Sequence, residues 1–258
     1  MFAHEPPLTQ ALARCDPAHF PRVLAVDVER RWMLMPDLCG STLDTLPDVV
    51  RWEEALRHFA CAQVSLVDQV DALLALGCPA RRLDQLAAYI DALLVDTPAM
   101  LPDRLGGLSK DQIDALRSHA GQFKATCAEL ARYRIPETLE HGDFAPGQIV
   151  VDDNSYVFID WSDSSIAHPF FSMNFFSDIA EMSEYLPGVP GLRRRLRDAY
   201  LEPWTRYEPI DRLIEAYELA QSLSPLHNAV IYHRYILPNM ENSWEMERML
   251  PFYLKKVL

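Results

Sequence analysis

His141-Gly142-Asp143-Phe144-Ala145-Pro146-Gly147-Gln148, answered further along by Phe158-Ile159-Asp160-Trp161, governs how the rest of this chain is read. Between them Ile149-Val150-Val151 and Tyr156-Val157-Phe158-Ile159 are β-type runs. The separating Asp152-Asp153-Asn154-Ser155 favours a tight hairpin turn. A loop, a small hairpin and a second loop follow one another, each loop carrying an aspartate. A single loop aspartate is usually a solvated charge or a helix cap. Two of them placed around a hairpin, with an amide five positions after the first, point to a shared site.

Outward from this core the texture is helical. Residues from about Asp48 to Arg132 predict one long segment to Leu76, a second over Arg81–Val95 and a third over Ser109–Ala131. In the third, Ile113, Leu116, Phe123 and Leu130 recur on one face, and Ser109 is its cap candidate. Nearer the start, Leu8–Arg14 reads as a short helix, and Val23–Asp27 with Trp32–Met35 as a hairpin around Glu29-Arg30-Arg31. Asp37-Leu38-Cys39-Gly40-Ser41 is a connector, and after Pro169 helices return, interrupted at Pro187–Pro190, Pro203, Pro225 and Pro238. The expected fold is α+β, mostly α.

Composition narrows the function classes. A chain of 258 residues, 49% hydrophobic and 24% charged, can bury a substantial core. Its formal charge of −13 argues against broad contact with nucleic acid and would attract a cationic small molecule, although solubility alone explains an acidic surface. Cys15, Cys39, Cys61, Cys78 and Cys127 show no metal or redox spacing, so reduced thiols are expected. No leader pattern and no run near the roughly 20 apolar residues of a membrane span is visible. A cytoplasmic protein without membrane contact is the expectation.

Phosphoryl transfer asks for a carboxylate to orient the attacking hydroxyl and take its proton, and for oxygen ligands holding Mg²⁺ on the phosphates. Asp143, Gln148 and Asp160 supply these in order. At these residues the chain resembles the aminoglycoside phosphotransferase and choline kinase group, with its protein-kinase-like fold. That group's catalytic loop reads His-Gly-Asp, two variable residues, Pro-Gly-Asn, and its metal loop reads Ile-Asp-Trp. Phe20-Pro21-Arg22-Val23-Leu24-Ala25 and Trp32-Met33-Leu34-Met35-Pro36-Asp37-Leu38 are similar to the last strands of its small lobe and its hinge.

The resemblance implies a remnant of the small lobe over residues 1–36, a connector over 37–47 and a helical lobe over 48–258, with the catalytic loop at 141–148 and the metal loop at 158–163. It makes Asp143 the catalytic base or hydroxyl-orienting carboxylate and Asp160 the chief Mg²⁺ ligand. Gln148 takes the place of the metal-binding asparagine, His141 orders the loop, and Asp163 supports the metal loop. The nucleotide base falls near Met35, Asp37 and Leu38, where Pro36 has no N–H to give. ATP or GTP is the implied phosphate donor, and a small molecule with a hydroxyl, cationic or neutral, is the acceptor. Glu181, Glu184 and Glu241 are candidates for an acidic acceptor pocket, each also readable as surface charge.

Besides Gln148, the chain departs from the pattern in two places. Its earliest lysine is Lys110 and no glycine precedes Gly40, so a phosphate-covering loop and strand lysine are not found ahead of the first helix. Glu5 stands roughly where the group's helix glutamate would pair with that lysine. Where the group has Gly-Asp-Pro and then a buttressing aspartate, this chain has Ala167-His168-Pro169-Phe170-Phe171-Ser172. Two alternatives follow: a non-catalytic binding or regulatory module, or a reading frame that begins upstream of Met1. The basic run Arg193-Arg194-Arg195 with Arg197 reads as a solvated helix face.

Overall fold

The side chain of Asp48 accepts from the Val50 amide at 2.9 Å and caps a helix of 17 residues, Val49–Ser65. Trp52, Leu56, Phe59 and Gln63 recur three or four positions apart along it, and all four are buried. The structure, a computed structural model, describes residues 2–153, 155–242 and 244–258. The expected turn residue Asn154 lies outside these. In chain order the elements are α1 (Glu5–Cys15), β1 (Ala25–Asp27), β2 (Trp32–Leu34), β3 (Ser41–Thr42), α2 (Val49–Ser65), α3 (Val70–Ala75), α4 (Leu83–Val95), α5 (Lys110–Ser118), α6 (Ala120–Leu130), β4 (Thr138–Glu140), β5 (Ile149–Asp152), β6 (Ser155–Phe158), β7 (Ser165–Ala167), α7 (Phe176–Met182), α8 (Leu192–Leu201), α9 (Ile210–Ile231) and α10 (Met249–Lys255).

The chain divides into two compact units, residues 2–80 with 135–214 and residues 81–134 with 215–258. The first holds every strand described, in three antiparallel sheets ordered β1-β2, β3-β5-β6 and β4-β7. Beneath the strands lies an aromatic layer. Phe59 of α2 stacks on Phe144 at 3.8 Å, and Phe144 on Phe176 of α7 at 5.1 Å. Tyr200 of α8, Trp161 and Phe158 surround Phe59. In the second unit α4 packs on α6, and Leu86, Ile90 and Leu93 of the one and Cys127 and Leu130 of the other are buried.

The expected mostly helical α+β class is what the structure has, with local corrections. The long segment ending at Leu76 is two helices, because the chain tightens into a 3-10 turn over Val67–Gln69. Ser109–Ala131 also divides. His119 ends α5 by turning its Nδ1 back onto the Ala115 carbonyl at 2.8 Å, satisfying an acceptor that a helix end leaves open. The capping box at Ser109 is formed with Gln112. The connector supplies a strand, as Ser41 and Thr42 pair with Val151 and Val150, so the central hairpin is a three-stranded sheet. Among the described residues none of the five cysteines is in a disulfide. No helix among the described residues is long and apolar enough to cross a membrane.

Candidate active site

Strand pairing brings the two aspartate loops together. β4 runs into the loop 141–148, which leaves through β5. Asp152 pairs with Ser155 and Asp153 stands at φ +48°, and β6 then runs into the loop 159–164, which leaves through β7. Since β5 pairs with β6 and β4 with β7, both loops are strapped between the same two sheets.

Three contacts lock one loop to the other. His141 donates from Nε2 to the Ile159 carbonyl at 3.0 Å, and the Ile159 amide donates to the Gln148 carbonyl at 3.0 Å. Gly142, at φ +84°, lies against the Asp163 backbone so closely that a Cβ there would stand 2.4 Å from its carbonyl oxygen. That is why glycine sits between His141 and Asp143. His141 itself is fully buried and packed on Trp161 at 4.7 Å. Burial lowers its pKa to about 4, against the opposing pull of the Ile159 carbonyl and Asp160. It is thus a neutral, positional imidazole, and its Nδ1 has no partner among the described residues.

Phe144 is driven into the aromatic layer and anchors the loop, leaving Asp143 exposed beside it. The Asp143 carboxyl is raised above the ordinary carboxylate range, first by partial desolvation and then by the negative charge of Asp160. Asp160 is exposed and adopts φ +64°, a left-handed conformation that is costly for any residue with a Cβ. Ser162 Oγ donates to its Oδ1 at 2.9 Å and lies 3.5 Å from Asp163 Oδ2. Gln148 keeps its amide oxygen buried and without a partner among the described residues.

Two carboxylates and an unengaged amide oxygen are the hard oxygen donors that Mg²⁺ takes when phosphates supply further ligands. Among the described residues no group of three His, Cys, Asp or Glu side chains would hold a metal alone. The donor set therefore fits an ion that arrives with its phosphates better than a resident cage.

Several residues near the loops were not singled out by sequence. Asp44 approaches Gly147, whose Cβ would lie 3.6 Å from Asp44 Oδ2, and its Oδ1 is buried without a partner among the described residues. Glu140 and Ser162 are the others, and polar residues beside a motif carry no sequence signal of their own. Glu5 faces the metal loop: its carboxyl is raised by burial, then by Asp160 and Asp163. The start of α1 is close by, His4 Nε2 lying 3.5 Å from Ser164 Oγ. Met35, Asp37 and Leu38 occupy an irregular segment between β2 and β3.

Of the acidic acceptor candidates, Glu184 lines a hollow of about 290 Å³ with Asp44, Trp52, Ile179, Met182 and Tyr185. Glu181 is committed to Arg193 at 2.7 Å, and Glu241 lies in the other unit. The basic run is ion-paired more than merely solvated. Arg193 also holds Asp178, Arg195 holds Glu53 and Arg197 holds Asp198.

Comparison with known proteins places the chain in a family. Among solved structures, the GDP and kanamycin complex of the aminoglycoside phosphotransferase APH(2")-IIIa matches with a TM-score of 0.62 at 17% identity, covering 98% of this chain and 81% of that one. A choline/ethanolamine kinase family protein from Mesorhizobium loti matches at 0.59 and 18% identity over 100% of this chain and 83% of its own. The ethanolamine kinase of Plasmodium vivax matches at 0.58 and 14% identity over 98% and 74%. These likenesses establish a protein-kinase-like fold. A comparison with curated proteins gives no match. The model of the phosphotransferase enzyme family covers residues 3–210, loops and both site aspartates included, and the chain belongs to that family.

Proposed function

We propose that this protein transfers the γ-phosphate of ATP or GTP to a hydroxyl of a small molecule, with Asp143 as the base or hydroxyl-orienting carboxylate. The observation that carries the reading is the convergence of Asp143 and Asp160, on loops strapped between the same two sheets and close enough for one charge to raise the other's pKa. A positive ion placed between two such carboxylates offsets their repulsion and lowers the Asp143 pKa back toward the ordinary carboxylate range, favouring the charged form a base needs. Asp160 and the Gln148 amide oxygen would hold Mg²⁺, with Asp163 and Ser162 steadying the loop around Asp160. The ion's chemistry would be to offset charge on the transferring phosphoryl group. His141, neutral and buried, positions Asp143 and moves no proton. Residues 1–36 form the small-lobe part, 37–47 the connector passing the nucleotide base near Met35, Asp37 and Leu38, and 48–258 the helical part.

The hollow lined by Asp44 and Glu184 supports the acceptor side of this reading. Asp44 and Glu184 supply negative charge, while Trp52, Met182 and Tyr185 supply apolar surface. A molecule carrying an ammonium group and a hydroxyl fits that lining.

Calorimetry with Mg²⁺ and ATP or GTP, followed by mass spectrometry of a panel of amino-alcohols and amino-sugars, tests the proposal. The expected result is Mg²⁺-dependent nucleotide binding and a phosphorylated acceptor. Absence of nucleotide binding overturns catalysis by this chain. Biological activity unaltered by Asp143→Asn would point instead to a binding module.

A further inference from the structure

Glu140, the last residue of β4, is 2% exposed, and three donors converge on its carboxylate. The Gly142 amide donates to Oε1 at 2.8 Å, the Ser172 hydroxyl to the same oxygen at 3.3 Å, and the Ser165 hydroxyl to Oε2 at 3.4 Å. Ser172 in turn accepts from the His141 amide at 3.0 Å, so the two amides preceding Asp143 end, directly or through one hydroxyl, on a single buried carboxylate. Gln63 extends the network. Its Nε2 donates to the Leu139 carbonyl at 2.9 Å and lies 3.4 Å from Ser172 Oγ, while its Oε1 accepts from Tyr200 at 2.6 Å.

A buried carboxylate is costly unless its oxygens are filled by donors, and once filled it fixes those donors more firmly than a neutral group would. Here the donors are the backbone of the loop carrying Asp143 and, through Ser165, the strand by which the metal loop leaves. We infer that Glu140 is a second positioning residue of the proposed active site, the buried post from which the Asp143 loop is hung, with Ser172 as its extension. The role in turnover rests on the function proposed above; the hold on the loop does not.

The geometry also says where else the charge would serve. Ser172 Oγ already touches both the His141 amide and Glu140 Oε1, the oxygen that receives the Gly142 amide, so a carboxylate at position 172 would keep the His141 amide and extend toward the Gly142 amide once residue 140 is shortened. Amide hydrogen exchange by NMR, with wild-type protein, Glu140→Gln, and Glu140→Ala combined with Ser172→Asp, reads the hold directly. Glu140→Gln is expected to speed exchange at the Gly142 amide by about tenfold or more while amides in the middle of α8 keep their protection. The double variant is expected to restore protection at His141 and Gly142. Unchanged Gly142 exchange in Glu140→Gln, or no recovery in the double variant, overturns the inference.

Turnover of ATP or GTP with Mg²⁺ gives the second readout. Glu140→Gln is expected to lower kcat about tenfold with KM for nucleotide little moved, because it disturbs placement of Asp143 rather than nucleotide contacts. An equal change in KM alone would count against positioning. If the wild-type protein turns over no nucleotide, the proposed function fails while the exchange data still decide the role of Glu140.

Discussion

His141 Nε2 reaches the carbonyl of Ile159 at 3.0 Å, joining the residue two before Asp143 to the residue just before Asp160. One neutral imidazole thereby spaces the two carboxylates. His141→Leu keeps the volume of the ring roughly and removes the donor, leaving the Ile159 carbonyl short of a partner. We expect a loss of about 1–3 kcal/mol in urea unfolding. A drop in Mg²⁺-nucleotide affinity, measured by calorimetry, should accompany it.

Gly142→Ala attacks the same junction from the backbone. The added methyl group would meet the Asp163 carbonyl oxygen at 2.4 Å, and neither backbone can step aside cheaply. With the strain of a positive φ added, a destabilisation of about 1–3 kcal/mol is expected, together with loss of turnover. Gly121 in α6 is the control, since a Cβ there meets nothing within 4 Å. Gly121→Ala should raise stability by up to about 1 kcal/mol and leave turnover alone.

Asp143→Asn should separate function from stability. Desolvation and Asp160 hold the Asp143 pKa above its unfolded value, so above that raised pKa its charge destabilises the folded state. The variant is therefore expected to melt at a higher temperature than wild type at neutral pH. This advantage shrinks as the pH falls through the raised pKa. Turnover should fall by roughly 10²–10⁴. A lower melting temperature for the variant at pH 7 would contradict the electrostatic account.

Buried histidines set the acid limit. His141 and His168 are buried neutral, with pKa values lowered from 6.5 to about 4 and about 3. Below pH 6.5 the unfolded chain gains protons that the folded chain refuses, so stability falls with pH, by at most roughly 1.4 kcal/mol per pH unit for each ring. The raised carboxyls of Asp143 and Glu5 act in the opposite sense near the acid end. Thermal midpoints between pH 7.5 and 5 should decline. His168→Asn, which keeps an acceptor for the Phe170 amide, should flatten that decline.

The parts of this site that sequence made legible are those whose chemistry is encoded by spacing. Asp143, Gln148 and Asp160 stand out because a hairpin of β-type residues lies between them, and Ile149↔Phe158 pairing is the register that patterning implies. The strands β3, β4 and β7 were not visible. Each is two or three residues long, and Ser41-Thr42, Thr138-Leu139-Glu140 and Ser165-Ile166-Ala167 show no alternation that a window could detect. Glu140 was hidden for a related reason. An acidic residue ahead of a motif looks solvated until pairing with Ser165 turns it inward. The break after Ser65 also leaves no mark, since no glycine or proline lies between Val64 and Leu76 and the chain turns to bury Leu66 and Leu73.

Strapping both loops between one pair of sheets makes the active site quantised. Strand side chains alternate, so β6 can shift against β5 only in steps of two residues if its apolar face is to stay inward. The smallest such step would carry Asp160 roughly 7 Å along the strand direction, beyond the reach of any ion shared with Asp143. Slippage of β6 on β5 is thus stepwise, whatever smaller adjustments the loops themselves make. A substitution in the hairpin that permits slippage is therefore expected to thin the fraction of molecules holding both aspartates in register, leaving the in-register remainder unaltered.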